Sequence, residues 1–100
     1  MADKAGVNVQ HNPEEHRFEV SVGDDIAMVE YQRAGQNIIF THTEVPPAFE
    51  GQGIASKMAY EAMEYAKNEG LKVQALCPFV NKYVSEHPEY HSITWGYNKK

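Results

Sequence analysis

Residues 44–63 read EVPPAFEGQGIASKMAYEAM, and within them the chain passes from one regular structure to another. Beyond Pro46-Pro47, Ala55, Ala59, Ala62 and Ala66 recur at i, i+4, i+7 and i+11, which is one stripe of a helix. Alanines along that stripe let the helix axis approach a sheet closely. Lys57, Glu61, Glu64 and Asn68 fall on a second, solvent-facing stripe, with Lys57 and Glu61 at ion-pair spacing. Gly70 follows as a left-handed cap.

Upstream the period is two. His16–Val22 alternates, with Phe18, Val20 and Val22 on one face, and predicts a strand. Gly23-Asp24-Asp25 has hairpin composition, and Ile26–Arg33 is a second strand with Ala27, Val29 and Tyr31 on one side. Ala34-Gly35-Gln36 turns the chain into a third strand, Asn37–Val45, apolar at first and polar towards its end. Downstream of the helix, Leu71–Leu76 reads as a fourth strand. Pro78 suits the first turn of a second helix, which runs to about His87 before Pro88 forces the chain out of the α region. The order β-β-β-α-β-α describes a mixed α+β fold, an antiparallel meander followed by α-β-α. Residues 1–13 are expected to be a flexible segment and residues 14–100 a single domain.

A chain of 100 residues supports one hydrophobic core and not two. Its formal net charge is -5 and its nine Lys and Arg are dispersed, which argues against a nucleic-acid partner. No run of 18 apolar residues is present and the first residues lack the apolar centre of a signal peptide, so no membrane partner is expected. The single cysteine cannot form an internal disulfide, which fits a reducing, cytoplasmic compartment.

Gly51 and Gly53 stand at the start of the first helix. A helix N-terminus carries unpaired N–H groups and about half a positive charge, and therefore attracts anions, phosphates especially. Glycine there lets a bulky anion reach the amides without meeting a Cβ. Neither the Walker pattern nor the three-glycine dinucleotide pattern is satisfied, because Ser56 occupies the third glycine position of the latter. On pattern alone a tight turn explains the glycines equally well.

Glu50-Gly51-Gln52-Gly53-Ile54-Ala55 resembles the pyrophosphate-binding motif of GNAT-superfamily N-acetyltransferases: Gln or Arg, two residues, Gly, one residue, then Gly or Ala. Gly53 and Ala55 match, and Glu50 stands where the family usually has Gln or Arg. HTEVPPAFEGQGIASKM (42–58) followed by CPFVNKYVSEHPEY (77–90) is similar to the small stand-alone members often labelled YidJ-like or N-acetyltransferase-domain-containing proteins. The resemblance covers roughly residues 14–95 and implies a minimal GNAT-like fold with an acetyl-coenzyme A site. The pantetheine arm would run along the end of the third strand near Glu44 and Val45. The pyrophosphate would sit on the amides of Gln52, Gly53, Ile54, Ala55 and Ser56. Lys57 would offset phosphate charge or remain a solvated lysine.

Acetyl transfer to an amine needs a base, donors for the thioester oxyanion and an acid for the leaving thiolate. His42 and Glu44 are two apart on a strand, so both side chains leave one face, just before the proposed phosphate loop. They are candidates for proton handling, or a pair that merely hydrogen-bonds at a sheet edge. Cys77 falls at the N-cap of the second helix, where a thiolate is stabilised; a small buried hydrophobe is the plainer reading. In the resembling family this cysteine lies near the cofactor thiol, which implies an acyl-cysteine route assisted by His42, with direct transfer as the alternative. The family often carries a tyrosine beside the coenzyme sulfur on this helix. Tyr83 is offset from that position, so it is read as core or as a wall of the cofactor pocket.

His87 and His91 are four apart, but Pro88 breaks the helix between them and no third ligand is near, so no metal is expected. His11 and His16 read as surface residues, and Trp95 and Tyr97 as a cover for one edge of the core. The leading expectation is an acetyl-CoA-dependent transferase acting on a small amine or a protein lysine, as a monomer or weak dimer. A coenzyme A-binding sensor or interaction module without transferase activity is the alternative. A structural domain whose glycines only turn the chain is the third.

Overall fold

The computed structural model describes residues 8–49, 51 and 53–96. Five strands, β1 (Gln10–Asn12), β2 (Arg17–Val22), β3 (Asp25–Ala34), β4 (Asn37–Glu44) and β5 (Lys72–Ala75), form one sheet in sequence order. The first four are antiparallel neighbours; β5 joins β4 in parallel. That parallel step needs a crossover, which a short 3-10 turn (Pro47–Phe49) and α1 (Ile54–Asn68) provide. α2 (Pro78–Ser85) and a 3-10 helix (Pro88–Ile93) complete the chain. The mixed α+β architecture is the expected one, with an added N-terminal strand.

Alternation decides which face of the sheet is covered. Phe18, Val20, Ala27, Val29, Tyr31, Ile38, Phe40 and Val73 are all buried and meet Met58, Ala59, Ala62, Met63 and Ala66 of α1 and Val80 and Val84 of α2. Ala59, Ala62 and Ala66 are fully buried, as their spacing predicts. Where α1 ends, the Leu71 N–H donates to the Ala66 carbonyl (2.9 Å) and the Gly70 N–H to the Lys67 carbonyl (3.3 Å), the paired closure expected of a left-handed glycine cap.

Three local expectations are corrected. Residues 10–12, read as part of a loose segment, pair with β2 (Gln10↔Glu19, His11↔Phe18, Asn12↔Arg17). His11 is the reason. Its ring stacks on Phe18 at 4.2 Å, meets the edge of Tyr65 at 4.5 Å, and shares a hydrogen bond through Nε2 with the Tyr31 hydroxyl. Glu64 is not simply solvated, because its carboxylate accepts a 2.7 Å hydrogen bond from the buried Tyr90. Finally, α2 stops at Ser85. His87 Nδ1 donates to the Tyr83 carbonyl (2.6 Å) and His91 Nε2 to the Val84 carbonyl (2.8 Å), so each ring adds a second donor to a last-turn carbonyl that already accepts the N–H of Glu86 or His87. Tyr97 lies outside the described residues.

Burial lowers the affinity of His11 for a proton. Its folded pKa therefore lies below the unfolded value, and its contribution is complete above about pH 6.5. As pH falls below that value the unfolded chain takes up the proton first, so stability is lost until the folded pKa is passed. Thermal melts from pH 8 to pH 5 should show a wild-type decline that His11→Gln lessens; parallel curves would mean that the ring is not shielded.

Candidate active site

β4 and β5 part company at one atom. Pairing runs from Asn37↔Lys72 to Phe40↔Ala75, and the Phe40 carbonyl then accepts both the Leu76 N–H (3.0 Å) and the Cys77 N–H (2.9 Å). Pro78 starts α2 immediately afterwards and carries that segment away. The β5 side of β4 beyond Phe40 is left without a strand partner among the described residues, and a cleft of about 370 Å³ opens there. Thr41, His42, Thr43, Val45, Cys77, Pro78 and Phe79 line it.

A bulge sets which β4 side chains face which way. Glu30 pairs with His42 while Tyr31 pairs with Phe40, so Thr41 is a surplus residue on β4. Directly opposed residues share a face. Phe40 lies with buried Tyr31 and Thr43 with buried Val29, whereas His42 lies with Glu30 and Glu44 with Met28 on the opposite face.

The consequence for the proposed site is direct. His42 and Glu44 come together, Nε2 to Oε1 at 3.8 Å, on side chains 56% and 63% exposed. The Cys77 thiol is paired elsewhere: its Sγ lies 2.8 Å from Thr43 Oγ1. Cys77 occupies the N-cap of α2 as expected, but its side chain makes no capping hydrogen bond and is buried. The expected assistance of Cys77 by His42 is therefore corrected in this structure, because the bulge turns Thr43 towards the thiol and His42 away. Thr43 is the residue that sequence reasoning missed, and no alternation-based signal marks it. Thr43→Val removes the hydroxyl at nearly constant volume. Iodoacetamide should then label Cys77 roughly fivefold more slowly, since a typical hydrogen bond contributes about 1 kcal/mol, with Thr43→Ser restoring the rate. An unchanged rate would make the pair incidental.

Val45 leads from the cleft through Pro46 and the 3-10 turn to the start of α1. Gly51 and Gly53 have φ of 80° and 75°, so the backbone itself calls for glycine at both positions. A Cβ at either would meet nothing within 4 Å, which leaves the approach to the helix end open. Gly53 is the N-cap and has no side chain to offer. The Lys57 N–H bonds the Gly53 carbonyl at 3.0 Å, and the amides of Ile54, Ala55 and Ser56 have no acceptor within the helix. The first turn carries no acidic residue to neutralise them. Lys57 Nζ lies 3.7 Å from Glu61. These features fit a phosphate-bearing ligand. Glu50 and Gln52 lie outside the described residues.

Tyr83 does not line the cleft. Its ring stacks on His87 at 3.9 Å and sits near Tyr90, so the cofactor-wall reading is corrected to a core position between α2, α1 and the 3-10 helix. Burial first, then the charge of Glu89 and contributions from Tyr60 and Glu64, push its hydroxyl up to about 12. Among the described residues no cluster of three or more His, Cys, Asp or Glu could hold a metal ion.

Comparison with known proteins agrees with this fold. The NMR solution structure of a GCN5-like protein from Staphylococcus aureus superposes with a TM-score of 0.73 at 22% identity, covering 93% of this chain and 92% of that one. Protein NATD1 of Xenopus tropicalis is 35% identical over 91 residues, 88% of this chain and 84% of the relative. Protein NATD1 of Homo sapiens is 35% identical over 85 residues, 82% of this chain and 75% of its own length. The profile of the GCN5-related N-acetyl-transferase family matches residues 17–93, which span the bulged strand, the glycine loop and Cys77. The chain therefore belongs to the GCN5-related N-acetyltransferase family, whose chemistry is acyl transfer.

Proposed function

We propose that the protein is an acetyl-CoA-dependent N-acetyltransferase. The observation that carries this reading is the parting of β4 and β5 at Phe40, which opens a cleft on the strand that leads towards the N-terminus of α1, where the N-cap Gly53 makes no side-chain cap. The amides of Ile54, Ala55 and Ser56, with Gly53 before them, would hold the pyrophosphate, and Lys57 would add positive charge to that end of the site. Gln52 belongs to the same loop in the family pattern. The free edge of β4 near Val45 would bind the pantetheine arm through backbone groups. Acetyl-CoA supplies an activated acetyl group as a thioester.

Two routes fit the same cleft. In direct transfer, His42 takes the amine proton, with Glu44 beside it to stabilise the ring once charged. In the covalent route the Cys77 sulfur bonds to the acetyl carbon, the thioester C–S bond breaks, and the thiol proton passes to the departing sulfur. Thr43 holds the Cys77 thiol in either case. Calorimetric titration of acetyl-CoA followed by intact-mass measurement tests the reading. Saturable binding and acetylation of an added amine support it, and no binding removes it. Cys77→Ala should keep acetyl-CoA affinity within about threefold, since a buried thiol adds little to a phosphate-anchored ligand, while losing any acetyl-protein adduct. An adduct that persists on the same time course would exclude Cys77 as the carrier.

A further inference from the structure

The sheet face turned away from the helices has no element packed on it among the described residues. Register assigns its side chains. Lys72 and Gln74 stand opposite Asn37 and Ile39, and Leu76 continues that row past the end of β5. On the other side of β4, Ile39 stands opposite Gln32, His42 opposite Glu30 and Glu44 opposite Met28. Trp95 closes the β5 edge. Its main-chain N–H donates to the Val73 carbonyl (2.8 Å), its indole N–H donates to Asn37 Oδ1 (3.2 Å), and the Lys72 ammonium lies 5.7 Å from its ring centroid. These contacts fix the indole on the open face.

The face therefore has two sides. Along the β5 edge Trp95, 57% exposed, stands at the level of Asn37 and Leu76, 61% exposed, just past Phe40 beside the cleft, with half-buried Ile39 between those levels. Across β4, β3 and β2 lie Glu44, Glu30 and Glu19, and Arg17 among them is already bound to Glu19 at 2.7 Å. From Asn37 to His42 the strand covers roughly 17 Å, the length of about five residues of extended chain.

We infer that this face docks the acceptor, and that the acceptor is a lysine-bearing polypeptide segment. Its apolar side chains settle on Ile39, Leu76 and Trp95, while Glu30 and Glu44 steer its lysine to the mouth of the cleft at His42. Charge complementarity selects a basic partner. The exposed indole and leucine are anchors that a small polyamine would leave unused, which favours a polypeptide. The inference rests on the acetyl-transfer reading for what becomes of the lysine, and docking is measured apart from it.

Trp95 is the single tryptophan, so its emission reports docking without any cofactor present. The titrants are a short peptide of alternating leucine and serine followed by lysines, the same peptide with serine for every leucine, and spermidine. The leucine-lysine peptide should shift the emission saturably. Leu76→Ser and Glu30→Lys should each weaken it about tenfold, with calorimetric affinity for acetyl-CoA unchanged. No shift, or equal binding to wild type and variants, overturns the inference. So does spermidine binding that matches the peptide, which would point to a small polyamine. A dimer that Leu76→Ser converts to monomer in sedimentation, with no peptide effect, would make the face a contact between copies. Failure of acetyl-CoA to bind would remove the acetyl-transfer reading alone, since the peptide titration still decides docking.

Discussion

Gly53→Glu is expected to lower acetyl-CoA affinity by roughly 100-fold or more. Charge-assisted hydrogen bonds contribute about 1.5–3 kcal/mol each, and losing about 3 kcal/mol corresponds to that factor. The new carboxylate would stand at the N-cap of α1 and compete for the amides of Ile54, Ala55 and Ser56 while repelling the pyrophosphate. Two opposing terms act on folding. A side chain at φ 75° costs about 1–2 kcal/mol, and a negative charge at a helix start returns part of it, about 0.3–1 kcal/mol. The domain should therefore still fold. Gly53→Ala carries the same backbone strain without the charge and separates the two effects. It should melt lower yet bind acetyl-CoA within a few-fold of wild type. Equal affinity in all three proteins would show that the helix end does not hold the cofactor.

Phe40→Ala is expected to remove about 3–5 kcal/mol of stability, a large share of the 5–15 kcal/mol typical of a domain. Phe40 is fully buried, its ring lies edge-on to Tyr31 at 6.2 Å, and its position is the last paired one before β4 and β5 separate. Truncation leaves a void beneath the strand that carries the site. For a domain of this size the melting temperature should fall by about 15 °C or more. Phe40→Leu retains most of the volume and should lose less than half as much. Urea midpoints for the three proteins measure this directly. A loss under about 1 kcal/mol for the alanine variant would mean that the core at the strand divergence rearranges to fill the space.

Much of the architecture could be read from letters because its causes are local. The two β-hairpins follow from Gly23 and Gly35 between alternating runs, and α1 from the alanine stripe and the Gly70 closure. The start of α2 follows from Cys77-Pro78. β1 could not be read this way. Three residues show no period, and they pair because the His11 ring finds Phe18, Tyr31 and Tyr65, which lie on three other elements. The Tyr90 to Glu64 bond joins residues 26 apart in the chain and leaves no trace in either one's surroundings. Within the candidate site, the shared face of His42 and Glu44 and the N-cap placement of Cys77 follow from spacing. The Thr43 to Cys77 contact does not, because it depends on a surplus residue that strict alternation assumes away.

A strand with one surplus residue behaves like a text whose reading frame has slipped. Before Thr41 the even-numbered Ile38 and Phe40 face the helices; after it the odd-numbered Thr43 does. Deleting Thr41 would restore plain alternation and leave His42 and Glu44 outside and Thr43 within, whereas flattening the bulge with every residue kept would swing the side chains at 42 and 44 into the apolar layer and that of Thr43 out to solvent. Both surfaces would be rewritten without one side chain of the site being changed. Substitutions can adjust the chemistry of this cleft a residue at a time, whereas a slip of register by one replaces its whole vocabulary at once.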